Sequence, residues 1–166
     1  MIQLSSKKTK ELDTTIKKQI LVLKNSHWSY GLDSQDKFFK NKIKNNDLHN
    51  LLFFKSTLIG YTCLRIRKYN DGSKNKFLYF DTLVIKEKYR SKGFSKILMN
   101  FNNLIIEASK NPSHLVCKNE MIGFYIKHFW KLSPEFLIEG TNSYDQCLSY
   151  NYKPFDDFKK KKIVNL

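Results

Sequence analysis

Residues 77 to 118 constrain the fold of this chain more than any other stretch, because they spell a strand, a cationic turn, a helix and a second strand. KFLYFDTLVI is rich in the aromatic and β-branched residues that suit a pleated sheet. The turn KYRSKGFSK, residues 88 to 96, comes next. After Gly93, apolar residues fall at Ile97, Leu98, Phe101, Leu104, Ile105 and Ala108, which is one face of a helix. Asn111-Pro112 stops that helix, and HLVCK reads as a strand. Two strands joined by such a crossover normally run parallel. The chain therefore reads as α/β.

What precedes this unit supplies further layers. Leu12, Ile16, Ile20 and Leu23 are spaced for a helix capped by Asp13 or Thr14. The loop NSHWSYGLD follows, and Asp33 or Ser34 can cap a second helix carrying Phe38, Phe39 and Ile43. Two helices thus open the domain. LLFFKSTLIGYTCLRIRKY reads as two strands with a turn near Lys55 to Thr57, and Asn70-Asp71-Gly72 makes a tight hairpin turn into the strand ending at Ile85. Beyond residue 118, NEMIGFYIKHFWK reads as a short helix, and weaker strands lie around 136 to 139 and 146 to 152. With 166 residues, 41% of them hydrophobic, and no internal repeat or linker, one domain over 1–166 is expected.

Thirty Lys and Arg against fifteen Asp and Glu leave a formal charge of +15, which favours anionic partners without choosing among them. The block Lys159 to Lys162 reads as a solvated tail. Cys63, Cys117 and Cys147 are an odd number at wide spacing, as expected of free thiols in a reducing compartment. The N-terminus has no apolar leader and no run is long enough for a membrane span, so the chain reads as cytoplasmic and complete. His27, His49, His114 and His128 form no metal-binding pattern, so no metal is expected, and His128 reads as a surface residue.

In the turn, backbone N–H groups at a helix N-terminus point outward, Gly93 leaves room for a close approach, and Arg90 and Lys92 add charge. An anion site fits, although on spacing alone an ordinary strand-to-helix turn fits equally. The stretch is not a P-loop, nor has it the glycine pattern of a dinucleotide fold.

YFDTLVIKEKYRSKGFSKILMNF resembles the core motif of the GNAT superfamily of acyl-CoA N-acyltransferases, a strand leading into Arg/Gln-x-x-Gly-x-Gly/Ala and a helix. Arg90, Gly93 and Ser95 stand at the three marked positions, Ser95 being a small-residue departure. Downstream, Asn119 followed by Phe124-Tyr125 is similar to the second half of the family pattern, which ends in a Gly-Phe pair. Here that pair reads Phe129-Trp130, without the glycine. The resemblance covers roughly residues 58 to 131. It implies a GNAT fold, with a mixed central sheet of about six to seven strands flanked by about four helices. It further implies acetyl-CoA as co-substrate, lying in a cleft where two parallel strands splay apart.

On this resemblance the pantetheine arm bonds the backbone of Leu83, Val84 and Ile85. The pyrophosphate is held by the amides of Ser91, Lys92, Gly93, Phe94, Ser95 and Lys96, with Arg90 beside them. Asn119 binds the pantetheine amides or caps the helix, and Phe124 flanks the site. Tyr125 matches the family's acid, and Asp81 its strand carboxylate acting as base, often through water. From the residues alone, Tyr125 is equally a core tyrosine with its hydroxyl at the rim, and Asp81 equally a structural partner for a lysine.

The acceptor is expected to be a small-molecule primary amine; the resemblance implies that the loop between the first two helices and the final strands grip it, which here offer His27, Trp28, Tyr30, Tyr144, Tyr150 and Tyr152, residues that would pack a small core just as well. The positive charge disfavours polycationic aminoglycosides and suits an amino sugar or a nucleotide-linked amino sugar. Protein, transfer-RNA and aminoglycoside amines stay open as acceptors. Two readings of other kinds are a basic nucleic-acid-binding protein, which is not favoured, and a module that holds acyl-CoA without turnover. Monomer and homodimer are equally compatible with the sequence.

Overall fold

A computed structural model describes residues 1–72, 74–138, 145–152 and 161–163. Its contacts form two compact units, Met1–Arg65 with Asp81–Asn102, and Ile66–Phe80 with Asn103–Leu166.

The first unit opens with a strand, β1 (Ile2–Lys8), which the sequence reading did not foresee ahead of the two expected helices. Its serines and lysines hide it in the sequence, because an edge strand buries little of its surface. Helix α1 (Thr14–Asn25) starts as expected at Asp13, whose Oδ1 accepts from the amide of Ile16 at 2.7 Å. Helix α2 (Leu32–Lys42) is capped by neither Asp33 nor Ser34. Gly31, at φ 87°, stands at its N-cap, and Asp33 falls inside the first turn. There its charge complements the helix dipole.

Strands β2 (Leu48–Phe54) and β3 (Thr57–Lys68) are joined by Lys55 and Ser56 at φ 46° and 62°, the twist a two-residue hairpin requires. β2 pairs antiparallel with both β1 and β3. The unit is completed by the C-terminal half of β4 (Lys76–Ile85) and the first turns of α3 (Phe94–Ser109). Alternation along the strands sends Leu51, Tyr61, Cys63 and Val84 towards Ile20 and Leu23 of α1, while Leu52, Ile59 and Ile85 cluster with Leu98 of α3. Gly60 permits this approach, since a Cβ there would stand 2.8 Å from Ile85 Cδ1 and 3.1 Å from Leu98 Cδ2.

In the second unit β5 (Ser113–Cys117) runs parallel to β4, as the crossover demands, through a ladder of Leu78↔Ser113 and Tyr79↔His114. The short helix α4 (Ile122–Ile126) follows a 3-10 turn at Asn119–Met121. β6 (Lys131–Leu132) and β7 (Phe136–Ile138) come next, then β8 (Gln146–Tyr150), which is antiparallel to β5 and β6. β9 (Lys161–Ile163) pairs parallel with β7 in a separate ribbon. Lys161 and Lys162, expected in a tail, are therefore strand residues. Lys159, Lys160, Glu139 and Tyr144 lie outside the described residues. β6 escaped the sequence reading because two residues carry no periodicity.

Among the described residues the main sheet has seven strands in the order β1-β2-β3-β4-β5-β8-β6, mixed with one parallel pair, and four α-helices accompany it. Among the described residues no helix is long and apolar enough to cross a membrane, and no cluster of three His, Cys, Asp or Glu side chains could hold a metal. Cys63, Cys117 and Cys147 are free.

Candidate active site

The turn after β4 is built from its own backbone. Lys86 N donates to Ile59 O at 2.7 Å, fixing the end of β4 against β3. A single 3-10 turn, Glu87–Tyr89, closes through Tyr89 N to Lys86 O and Arg90 N to Glu87 O. Ser91 and Gly93 then take φ of 58° and 80°, and α3 begins at Phe94. A Cβ at Gly93 would meet no protein atom within 4 Å, so the positive φ and not crowding within the chain selects glycine here. Ile97 N reaches back to Gly93 O at 3.2 Å. Among the described residues, the amides from Ser91 to Lys96 have no protein acceptor outside their own helix. They lie at the start of a 16-residue helix, whose dipole favours an anion there.

Side chains brace and charge this turn. The rings of Phe54, Tyr89 and Phe94 form a mutual cluster with centroids 5.8 to 5.9 Å apart. Arg90 Nε donates to Ile85 O at 3.0 Å, and its Nη2 donates to His27 Nδ1 at 3.0 Å. His27 accepts as a neutral ring, because burial and the Arg90 charge both hold its pKa below the usual value. Lys92, Gly93 and Lys96 are exposed, and Ser95 is half-buried.

Asp81 sits in the middle of the same strand and has a partner other than the lysine the sequence offered. Arg65 Nη1 donates to its Oδ1 at 3.0 Å and Thr82 Oγ1 to its Oδ2 at 3.0 Å, with Arg65 only 2% exposed. Asp81 and Thr82 line a cavity of about 300 Å3 together with Lys24, Trp28, Tyr30, Ser34, Gln35 and Phe38. The loop carrying Trp28 is tied down by Gln35 Nε2, which donates to Trp28 O at 3.1 Å, and by Gly31 N, which donates to Asn25 Oδ1.

Lys24 was missed by the sequence reading. It is four residues after Ile20 and continues that stripe, so it is drawn inward to 8% exposure, and its Nζ lies 4.4 Å from the Phe38 ring centroid. Burial, opposed in part by the Asp81 carboxylate, lowers its pKa. Leu83, Val84 and Ile85 complete β4, with Leu83 half-buried and the other two buried.

In the second unit Tyr125 lies in α4, its ring edge-on to Phe80 and Phe124 at 6.1 and 5.2 Å. Its hydroxyl has no hydrogen-bond partner among the described residues. Burial, with a smaller contribution from Cys117, pushes its pKa up. The phenol is thus protonated at neutral pH.

Asn119 is exposed and stands first in the 3-10 turn, while the cap position is Lys118, without a side-chain bond. The capping role expected of Asn119 is therefore not realised. His128 is buried, at 7% exposure, and not a surface residue: its carbonyl accepts from Asn103 Nδ2, and its ring packs on Phe124. Phe129, which replaces the glycine of the motif, takes φ 67° with 76% of its surface exposed, so the glycine-like backbone survives without glycine. Trp130 beside it is buried, and its Nε1 donates to Asn103 Oδ1 at 3.1 Å.

No family model and no curated protein matches the sequence. Solved structures do match in shape. PaiA N-acetyltransferase from Thermoplasma acidophilum, in complex with coenzyme A, is 17% identical, with 90% of this chain and 99% of that one covered at a TM-score of 0.60. Arabidopsis thaliana Naa50, bound to the bisubstrate analogue CoA-Ac-MVNAL, is 18% identical, with 90% and 99% covered at 0.61. The aminoglycoside 6'-N-acetyltransferase from Enterococcus faecium is 12% identical, with 93% and 99% covered at 0.67. This chain has the GNAT fold.

Proposed function

We propose that the protein is an acyl-CoA N-acyltransferase of the GNAT type, moving an acetyl group from acetyl-CoA to a primary amine. The observation that carries this reading is the row of free amides from Ser91 to Lys96 at the head of α3, in a fold shared with acetyltransferases solved with coenzyme A and a CoA conjugate. Open space beside Gly93 and the exposed cations of Arg90 and Lys92 fit a diphosphate.

Acetyl-CoA, when bound, supplies an acetyl thioester activated towards amines. The amides of Ser91 to Lys96 hold its diphosphate, the backbone of Leu83, Val84 and Ile85 pairs with its amide arm, and Asn119 and Phe124 flank it. Tyr125 keeps a proton on its Oη at neutral pH, ready for the departing sulfur. Asp81, oriented by Arg65 and Thr82, receives the proton of the amine through water. The formal charge of +15 favours an acceptor bearing phosphate, such as a nucleotide-linked amino sugar, over an aminoglycoside.

The test is calorimetric titration with CoA, followed by a screen of amines for thiol release from acetyl-CoA. Micromolar binding and amine-dependent release are expected. Absence of CoA binding would overturn the reading, and binding with no release across the panel would leave a passive acyl-CoA module in its place.

A further inference from the structure

We propose that the cavity between the loop after α1 and the Asp81 end of β4 receives an oxyanion of the acceptor, a carboxylate or a phosphate, on the ammonium of Lys24. This rests on the acyltransferase reading and names the acceptor class for it.

The cavity holds a cation short of a partner. Lys24 is nine-tenths buried and lines the cavity, and its side-chain ammonium has no hydrogen bond or ion pair among the described residues. Its ammonium stands over the face of Phe38, 4.4 Å from the ring centroid. Such a contact offsets only part of the cost of taking an ammonium out of water.

The nearby carboxylate is already engaged. Both Asp81 oxygens accept bonds, one from the Arg65 guanidinium and the other from the Thr82 hydroxyl. Lys24, Arg65 and Asp81 therefore leave one positive charge in excess, and the Arg65 charge adds to the pressure on Lys24 to lose its proton. A bound oxyanion would restore the balance, and on a side chain so largely buried as Lys24 a charged hydrogen bond counts for more than on a fully exposed one.

Size and lining narrow the class. About 300 Å3 is at the small end of ligand pockets and excludes a folded macromolecular segment. Trp28, Tyr30 and Phe38 offer flat apolar walls to a ring or short chain, while Ser34 supplies a hydroxyl. The part of the acceptor seated here is therefore compact and carries an anionic group.

Two measurements test this. In the first, Nε-region NMR of the lysines follows the titration of Lys24 in the free protein, with inorganic phosphate and with acetate as separate probes. An oxyanion seated on Lys24 raises its midpoint by at least half a pH unit, and the more effective probe identifies the source. The second compares kcat/KM for matched amines, amino acid against its amide and hexosamine phosphate against hexosamine. The anionic member of the preferred pair is expected to win by about tenfold or more, with Lys24→Met abolishing the preference and Lys24→Arg restoring much of it. An unmoved Lys24 midpoint with both probes, or a preference unchanged in Lys24→Met, overturns the proposal. Failure of CoA binding in calorimetry would instead overturn the acyltransferase reading, and the NMR result would stand by itself.

Discussion

Arg90 ties the turn back to the strand it leaves, its Nε donating to the carbonyl of Ile85 at 3.0 Å while Nη2 holds the ring of His27. One guanidinium thus fixes the exit of β4 and adds positive charge beside the free amides. Arg90→Ala should weaken CoA binding by about tenfold, a loss of about 1.4 kcal/mol, consistent with a charge-assisted contact at a partly exposed site. Calorimetry at two salt concentrations checks this. The deficit should shrink as salt rises, because screening already weakens the wild-type attraction.

Gly93 separates backbone strain from ligand clearance. Its φ of 80° penalises any side chain, yet the space its Cβ would fill holds no protein atom within 4 Å. Gly93→Ala should therefore cost only about 1 to 2 kcal/mol in urea unfolding, the ordinary price of a left-handed alanine. CoA affinity should fall further, by more than tenfold, since the methyl would stand where the diphosphate approaches the amides. Equal CoA affinity in the variant would show that the ligand does not pass over residue 93.

Tyr125→Phe should leave CoA affinity within about twofold and lower kcat by about a hundredfold, the effect of losing a positioned acid. The removed hydroxyl has no hydrogen-bond partner among the described residues, so no structural bond is lost with it. Steady-state thiol release beside CoA titration gives both numbers. A kcat unchanged with the best acceptor would dismiss the acid role.

Much of this fold was legible because its central pieces have strong periods. The apolar face of α3, the Asp13 cap of α1 and the hairpin of β2 and β3 each declare themselves within a dozen residues. What stayed hidden depends on distant partners. β1 is a strand because β2 is beside it, and β9 because β7 is. The candidate residues divide in the same way. Arg90, Gly93 and Tyr125 stand in a motif, whereas the Arg65 to Asp81 pair and the buried ammonium of Lys24 arise from elements brought together only by folding. His49 and His114, both fully buried among strands, looked like any other histidines for the same reason.

Phe129 is a non-glycine residue at φ 67° with most of its ring in solvent. Phe129→Gly should raise stability by about 0.5 to 1 kcal/mol, as relief of the left-handed penalty outweighs the extra freedom of the unfolded chain. Thermal and urea unfolding of the variant check this. Destabilisation would mean that the exposed ring makes contacts worth more than the strain it imposes.

His49 makes the fold sensitive to mild acid. It is fully buried, with Nε2 2.9 Å from Thr9 Oγ1 and Nδ1 2.8 Å from Tyr61 Oη. Burial lowers its pKa from 6.5 to about 4, with the Asp47 carboxylate opposing and Lys24 assisting. The unfolded chain thus takes up a proton near pH 6.5 that the folded chain refuses until about pH 4, so stability must fall as pH is lowered through that window. The contribution at stake is at most about 3 kcal/mol. His49→Gln removes the titrating group, and the difference between its urea-unfolding free energy and that of the wild type should change across this window by up to that amount, the variant losing less. A constant difference from pH 7 to pH 4 would mean that His49 accepts its proton in the folded state as readily as in the unfolded one.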